Sequence, residues 1–185
     1  MKKWLIFFLC IIYVGFCYGQ HIQFLGIPLG GDISIFKQKL IDKGYEYSSQ
    51  YSDVGGYTGA YVFFGRFSGE FAIVAVHYTP KSKLVARVEV QYSGYSKWPY
   101  QTNTRKDQEE IFDDRKHAIS IKYGNPSVVK TSEKYHRFAK WNLRDGKIVL
   151  FIERMKGDPN IWGMYVVYDD DSTVQKYYSE TDDDF

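Results

Sequence analysis

Gly30–Tyr45, GGDISIFKQKLIDKGY, is the stretch whose reading decides the fold. Asp32 can accept a hydrogen bond from the free backbone amides of a first helical turn. Ile33, Phe36 and Leu40 then recur at i, i+3 and i+7, one face of a helix. The charged residues around them fall mostly on other faces. Gly44 suits the left-handed residue that closes a helix, and Lys43 suits its negative end. The spacing therefore predicts a capped helix with one buried stripe, which requires a sheet or another helix to cover it.

Working outward, a second helix is predicted from about Arg105 to Tyr123. Asn103 or Thr104 caps it, and Gly124 followed by Asn125-Pro126 stops it. Strands are predicted after each helix. After the first they are Tyr57–Phe64, Phe71–Tyr78 and Leu84–Tyr92. In the last of these, apolar and polar residues alternate, so one face is buried and one is wet. After the second helix, Tyr135–Arg144 and Lys147–Glu153 read as a hairpin turning at Asp145-Gly146. Ile161–Tyr168 is the last strand. The order helix-strand-strand-strand occurs twice, at about 22–92 and 103–168. Antiparallel strands joined by short turns, with helices on one face, predict an α+β fold for a single domain spanning residues 20–170. Residues 171–185 are acidic and are expected to be a disordered tail, with a short turn of helix near Val174–Tyr178 as the alternative for its first part.

The chain opens with Lys2 and Lys3 ahead of an apolar run, Leu5 to Phe16. This run is shorter than the ~20 residues of a membrane span and has the layout of a secretory signal. Cleavage is expected between Gly19 and Gln20, with the product in the periplasm or at the cell surface. The alternative is a lipoprotein acylated on Cys17, disfavoured by the bulky Phe16 before it. Cleavage removes both cysteines, Cys10 and Cys17, so the mature chain offers no disulfide, thiol nucleophile or cysteine metal ligand. It also removes Lys2 and Lys3, leaving 22 basic against 22 acidic residues. That balance argues against nucleic acid, whose binding rests on a surplus of lysine and arginine. Seventeen tyrosines and an aromatic fraction of 18% point instead to sheets and contact surfaces.

Phe24-Leu25-Gly26-Ile27-Pro28, followed by the capped helix ending Lys43-Gly44-Tyr45, resembles the opening of a family of small uncharacterised secreted proteins of Gram-negative gut bacteria. Lys122-Tyr123-Gly124-Asn125-Pro126 is similar to that family's second helix end. The tandem helix-plus-sheet plan also resembles the architecture of the β-lactamase inhibitor protein. That resemblance implies an open sheet face that grips another protein, and neither resemblance implies catalytic residues.

The chemistry-bearing residues support no catalytic or metal site and no cofactor. There is no glycine-rich phosphate loop, and Gly65-Arg66-Phe67-Ser68-Gly69 has its serine one place late for a nucleophile elbow. His117 shares a helix face with Glu110, Asp113 and Asp114, which reads as a solvated face. His77 reads as a sheet histidine, and His21 and His136 carry no signal. Asp169-Asp170-Asp171 lacks the glycine and distal glutamate of a calcium loop. Glu153 and Asp158 form a carboxylate pair of no specificity. Lys134, Arg137, Lys140, Arg144 and Lys147, interleaved with Tyr135, Phe138 and Trp141, imitate a single-strand binder, but a core-facing Trp141 with solvated charges explains them more simply.

A two-residue turn at Asp145-Gly146 places Trp141 opposite Leu150 and Leu143 opposite Ile148. Leu143, Trp141, Ala139, Ile148, Leu150 and Ile152 then form a core face. Val149, Phe151, Lys140 and Arg144 fall on the other face, and Tyr165 is a candidate to join them. The expectation is a non-enzymatic module that binds a protein partner through Phe151, Val149, Lys140, Arg144 and Tyr165. The alternatives are a carrier of a lipid or glycan fragment, and an undetected hydrolase.

Overall fold

The computed structural model describes residues 22–54, 58–92, 105–132, 134–154 and 161–182. The expected cleavage point at Gly19 and Gln20, both cysteines and Asp158 lie outside the described residues.

The first helix, α1 (Ile33–Asp42), forms as its sequence requires. Asp32 Oδ1 accepts from the amides of Ser34 and Ile35 at 2.8 and 3.2 Å. At the other end Gly44 takes a left-handed φ of 86°. Its amide donates to the Ile41 carbonyl, and the Tyr45 amide donates to that of Leu40, which satisfies two otherwise orphaned carbonyls. Ile33, Phe36 and Leu40 are the buried residues of the helix.

The chain forms an α+β fold. A small hairpin comes first, β1 (Gln23–Phe24) and β2 (Ile27–Pro28). Eight further strands make one antiparallel sheet. They are β3 (Glu46–Ser48), β4 (Ala60–Phe67), β5 (Glu70–Tyr78), β6 (Val85–Tyr92), β7 (Val128–Lys130), β8 (Arg137–Asn142), β9 (Gly146–Arg154) and β10 (Trp162–Asp170). Helix α2 (Arg105–Tyr123) precedes β7, and α3 (Asp171–Asp182) follows β10. The strand order is β3-β4-β5-β6-β10-β9-β8-β7. Each half is a meander that starts at an outer edge and ends in the middle, where β6 and β10 pair over six positions. Helices α1 and α2 are thus each followed by four strands rather than three. The additional ones, β3 and β7, are three-residue edge strands with little alternation to betray them.

One face of the sheet carries the core. Across it run Trp141, Ile148, Leu150, Ile152, Met164, Val166, Val88, Val90, Val74 and Val76, each 0–1% exposed. The buried residues of α1 and α2 join this cluster, as does Phe24 from the small hairpin, stacked on Phe67 at 5.2 Å. The Trp141 indole donates to the Gly124 carbonyl at 2.9 Å, which ties β8 to the end of α2. Tyr45 lies flat over Gly65, where a β-carbon would stand 2.5 Å from its ring, and burial pushes its phenol up to about 12.

Two expectations change. The segment expected to be a disordered tail forms α3 from Asp171 onward. Asp170, itself buried, caps it by accepting from the Thr173 amide and hydroxyl and from Ser172 Oγ. Near its far end, Glu180 accepts from the amides of Lys81 and Ser82 and from Ser82 Oγ. These partners are 98–99 residues away in sequence, so local composition cannot signal the docking.

The hairpin register also differs. Trp141 pairs with Ile148 and Ala139 with Leu150, and Asn142–Lys147 is the last pair before the loop. The loop therefore holds four residues, closed by the Leu143 amide donating to the Gly146 carbonyl. Gly146 does not take the left-handed φ that a two-residue turn needs. It belongs to β9, where a β-carbon would sit 2.0 Å from the Asp169 carbonyl oxygen. The displacement is two residues, so every side chain that remains paired between β8 and β9 keeps its expected face.

Candidate functional site

The sheet face opposite α1 and α2 carries the candidate residues, and its strand register puts most of them side by side. Phe138 on β8 lies opposite Phe151 on β9, and Phe151 lies opposite Tyr165 on β10. The row continues through Gln91, Ile73 and Phe64. Phe138, Phe151, Tyr165, Ile73 and Phe64 are all half-buried, in contrast to the closed core beneath them.

The rings contact one another. Phe151 and Tyr165 stack with centroids 5.1 Å apart and planes 14° apart. Tyr135 meets Phe151 at 5.0 Å and Phe138 at 5.5 Å. At the other end Phe64 stacks on Phe71 at 6.2 Å, and Tyr51 meets Phe64 edge-on. The Tyr165 ring lies over Gly163, where a β-carbon would come within 2.9 Å of it. A glycine two places along the same face lets the ring lie against the backbone. The sequence contains this pairing, but only the face assignment reveals it.

The next row holds Lys140, Val149, Val167, Glu89, Ala75 and Val62. Lys140 and Val149 are direct partners, as their shared face requires. Burial pushes the Glu89 carboxyl above its ordinary value, against the opposing pull of Arg87. Arg144 departs from its expected place. It lies in the four-residue hairpin loop with its side chain 77% exposed, near Asp145 at 3.9 Å.

The third row is charged and sits beneath α3. Asp169, 2% exposed, accepts from Arg87 Nε at 2.6 Å and Nη2 at 3.1 Å, with Lys147 Nζ at 3.3 Å. Asp169 raises the Arg87 guanidinium further above its usual range. His77, opposite Arg87, is pushed down to about 4, first by burial and then by that guanidinium. It is neutral at pH 7. Val174, Tyr177 and Tyr178 of α3 close over His77, Ala86 and Arg87.

Other candidate groups are occupied structurally. Asp169 is paired, Asp170 caps α3, and Asp171 lies 3.8 Å from Lys147. The basic run is divided: Arg137 forms a two-point ion pair with Asp113 on the core side, Lys147 joins Asp169 on the other, and Arg144 is in a loop. His136 bonds to Glu109 and packs on Trp162, joining α2 to the sheet, and His117 is exposed. Among the described residues no group of three His, Cys, Asp or Glu converges to hold a metal ion. No helix among them is long and apolar enough to cross a membrane.

The face can present flat, amphipathic rings to another surface, bordered by lysines on one side and a docked helix on the other. No protein-family model matches the chain, and no curated protein or solved structure is significantly similar to it.

Proposed function

We propose that the protein is an exported, non-enzymatic binding module that contacts a protein partner through this aromatic face. The observation that supports the reading is the half-buried row Phe138, Phe151 and Tyr165, roofed by Tyr135. Aromatic anchors of this kind dominate the buried centres of protein interfaces, where large rings are fixed at little entropic cost. Lys140 and Val149 border the row, and Arg144 reaches out from the adjoining loop. The resemblance to inhibitor-like tandem sheets points to the same use of an open face. Export rests on Lys2, Lys3 and the apolar run after them, with the mature protein in the periplasm or on the surface.

The test is capture from the protein's own cells by the immobilised native chain and by Phe151→Ala and Tyr165→Ala, read by mass spectrometry. A protein retained by the native chain and lost from both variants supports the reading. Equal retention by all three, or retention of nothing, overturns it.

A carrier of a lipid or glycan fragment is the second reading, favoured by a cleft between α2 and the small hairpin. That cleft holds about 180 Å³, against ~300–1,000 Å³ for ordinary drug-sized ligand sites. It is too small for a lipid, and the partner reading is preferred.

A further inference from the structure

The same cleft has a charge pattern that the aromatic face lacks, and it lies on the opposite side of the sheet. Its apolar wall is made by Leu25, Phe67, Ile119 and Val166, and its cations are Arg115 and Lys122. No carboxylate among the described residues lines it. Leu25 holds its place with a left-handed φ of 53°, in the tight turn between β1 and β2.

Arg115 is incompletely satisfied. One Nη donates to the Ser68 carbonyl at 2.8 Å. Its Nε is buried and has no hydrogen-bond partner, and the side chain forms no ion pair among the described residues. Behind it lies Tyr92, its ring centroid 5.6 Å from the guanidinium carbon and its buried hydroxyl interacting with Arg115. Burial pushes that phenol upward, so it remains a proton donor. The guanidinium thus borders the cleft with one carbonyl partner and no carboxylate among the described residues, a positive charge that an anion in the cleft neutralises.

We propose that this cleft binds a small organic monocarboxylate, its carboxylate held by the Arg115 guanidinium and its short apolar tail lying on Phe67, Ile119 and Val166. At the ~30 Å³ that a water molecule occupies in the liquid, the volume of about 180 Å³ accommodates roughly six non-hydrogen atoms, the size of butyrate. A ligand this small binds weakly, with Kd on the order of 1 mM. Lys122 adds a second positive charge at the rim, where solvent screens it.

The experiment is an NMR titration of the purified protein with butyrate, 1-butanol and inorganic phosphate. It is repeated on Arg115→Gln and on Ala118→Leu, with circular dichroism to verify the fold. Ala118 is exposed at the cleft mouth, so leucine there narrows the site while keeping a good helix former. The expected result is saturable butyrate binding that weakens about tenfold or more in each variant, from loss of a charge-assisted hydrogen bond in one and of space in the other. Neither butanol nor phosphate should match it. Butyrate binding unchanged in folded Ala118→Leu overturns the proposal, as does butanol or phosphate binding equally well. So does a failure to saturate by roughly 20 mM, about twentyfold above the Kd expected for this size.

Discussion

Leu150 and Phe151 are neighbours on β9, and they show how differently the two faces of the sheet are built. Leu150 is fully buried among Ala139, Val166 and the rest of the core cluster. Phe151 is only half-buried, yet three aromatic side chains surround it. The core face is dominated by aliphatic side chains, and their burial stabilises the fold. The other face changes character along its length, from aromatic rings through a mixed row to a charged row under α3. Aliphatic burial is a means of folding. Rings left half in contact with water, and held in fixed orientation, are what the proposed contact with a partner would use.

The largest effect that sharpens this contrast is Leu150→Ala, expected to cost about 2–5 kcal/mol through lost transfer and a residual cavity. Thermal and denaturant melts measure it. Phe151→Ala should cost clearly less, about 1–2 kcal/mol, from the loss of ring pairs worth ~0.5–1.5 kcal/mol each. Equal costs would break the contrast and show both faces to be core.

Gly146→Ala comes between them. A β-carbon there meets the Asp169 backbone carbonyl, which cannot swing aside as a side chain would. A cost of about 1–3 kcal/mol is expected, the range for overpacking. A stabilised Gly146→Ala protein would show that the glycine serves the loop and not the β9–β10 contact.

His77 gives the charged row a pH signature. Burial holds its imidazole at about 4 in the fold, against 6.5 for a free imidazole. The unfolded chain therefore takes up the proton first as pH falls. The neutral buried form contributes fully above pH ~6.5, and stability declines by up to about 3 kcal/mol as pH drops towards ~4. His77→Gln should flatten that part of the stability profile. If the slope between those values persists in the variant, His77 is not its source.

The smallest expected change is local. Hydrogen bonds from Ser82 and Lys81 hold the Glu180 carboxyl below its ordinary 4.5. Its contribution to docking α3 is complete above that value and is lost as pH falls through the lower folded one. Glu180→Gln should loosen α3 at pH 7 and speed proteolysis after Asp170 while leaving the sheet melt nearly unchanged. Native resistance to protease in this variant would mean that Val174 and Tyr177 suffice to hold the helix.

Local chemistry in the sequence was enough to determine α1. A capping aspartate, a stripe at helical spacing and a terminal glycine all act within one or two turns of chain. It also determined which residues of β8 and β9 face the core, because side chains alternate with period two and survive a register error of two residues. Phe151, Val149 and Lys140 were therefore placed on one face, although their true neighbours were not known, while the register of Tyr165 was left open until β10 paired with β9. Arg144 was misplaced because Gly146 read as a turn glycine. Its missing β-carbon serves instead the close approach of Asp169 on another strand. The joining of β6 to β10, the docking of α3 through Glu180 and the cleft around Arg115 were decided by tertiary structure alone. Each depends on partners tens of residues away, Ser68 lying 47 residues from Arg115 and Ser82 98 from Glu180. Such pairings leave no period in the sequence, since the free energy that selects them comes from burial and hydrogen bonds made only once the sheet has closed.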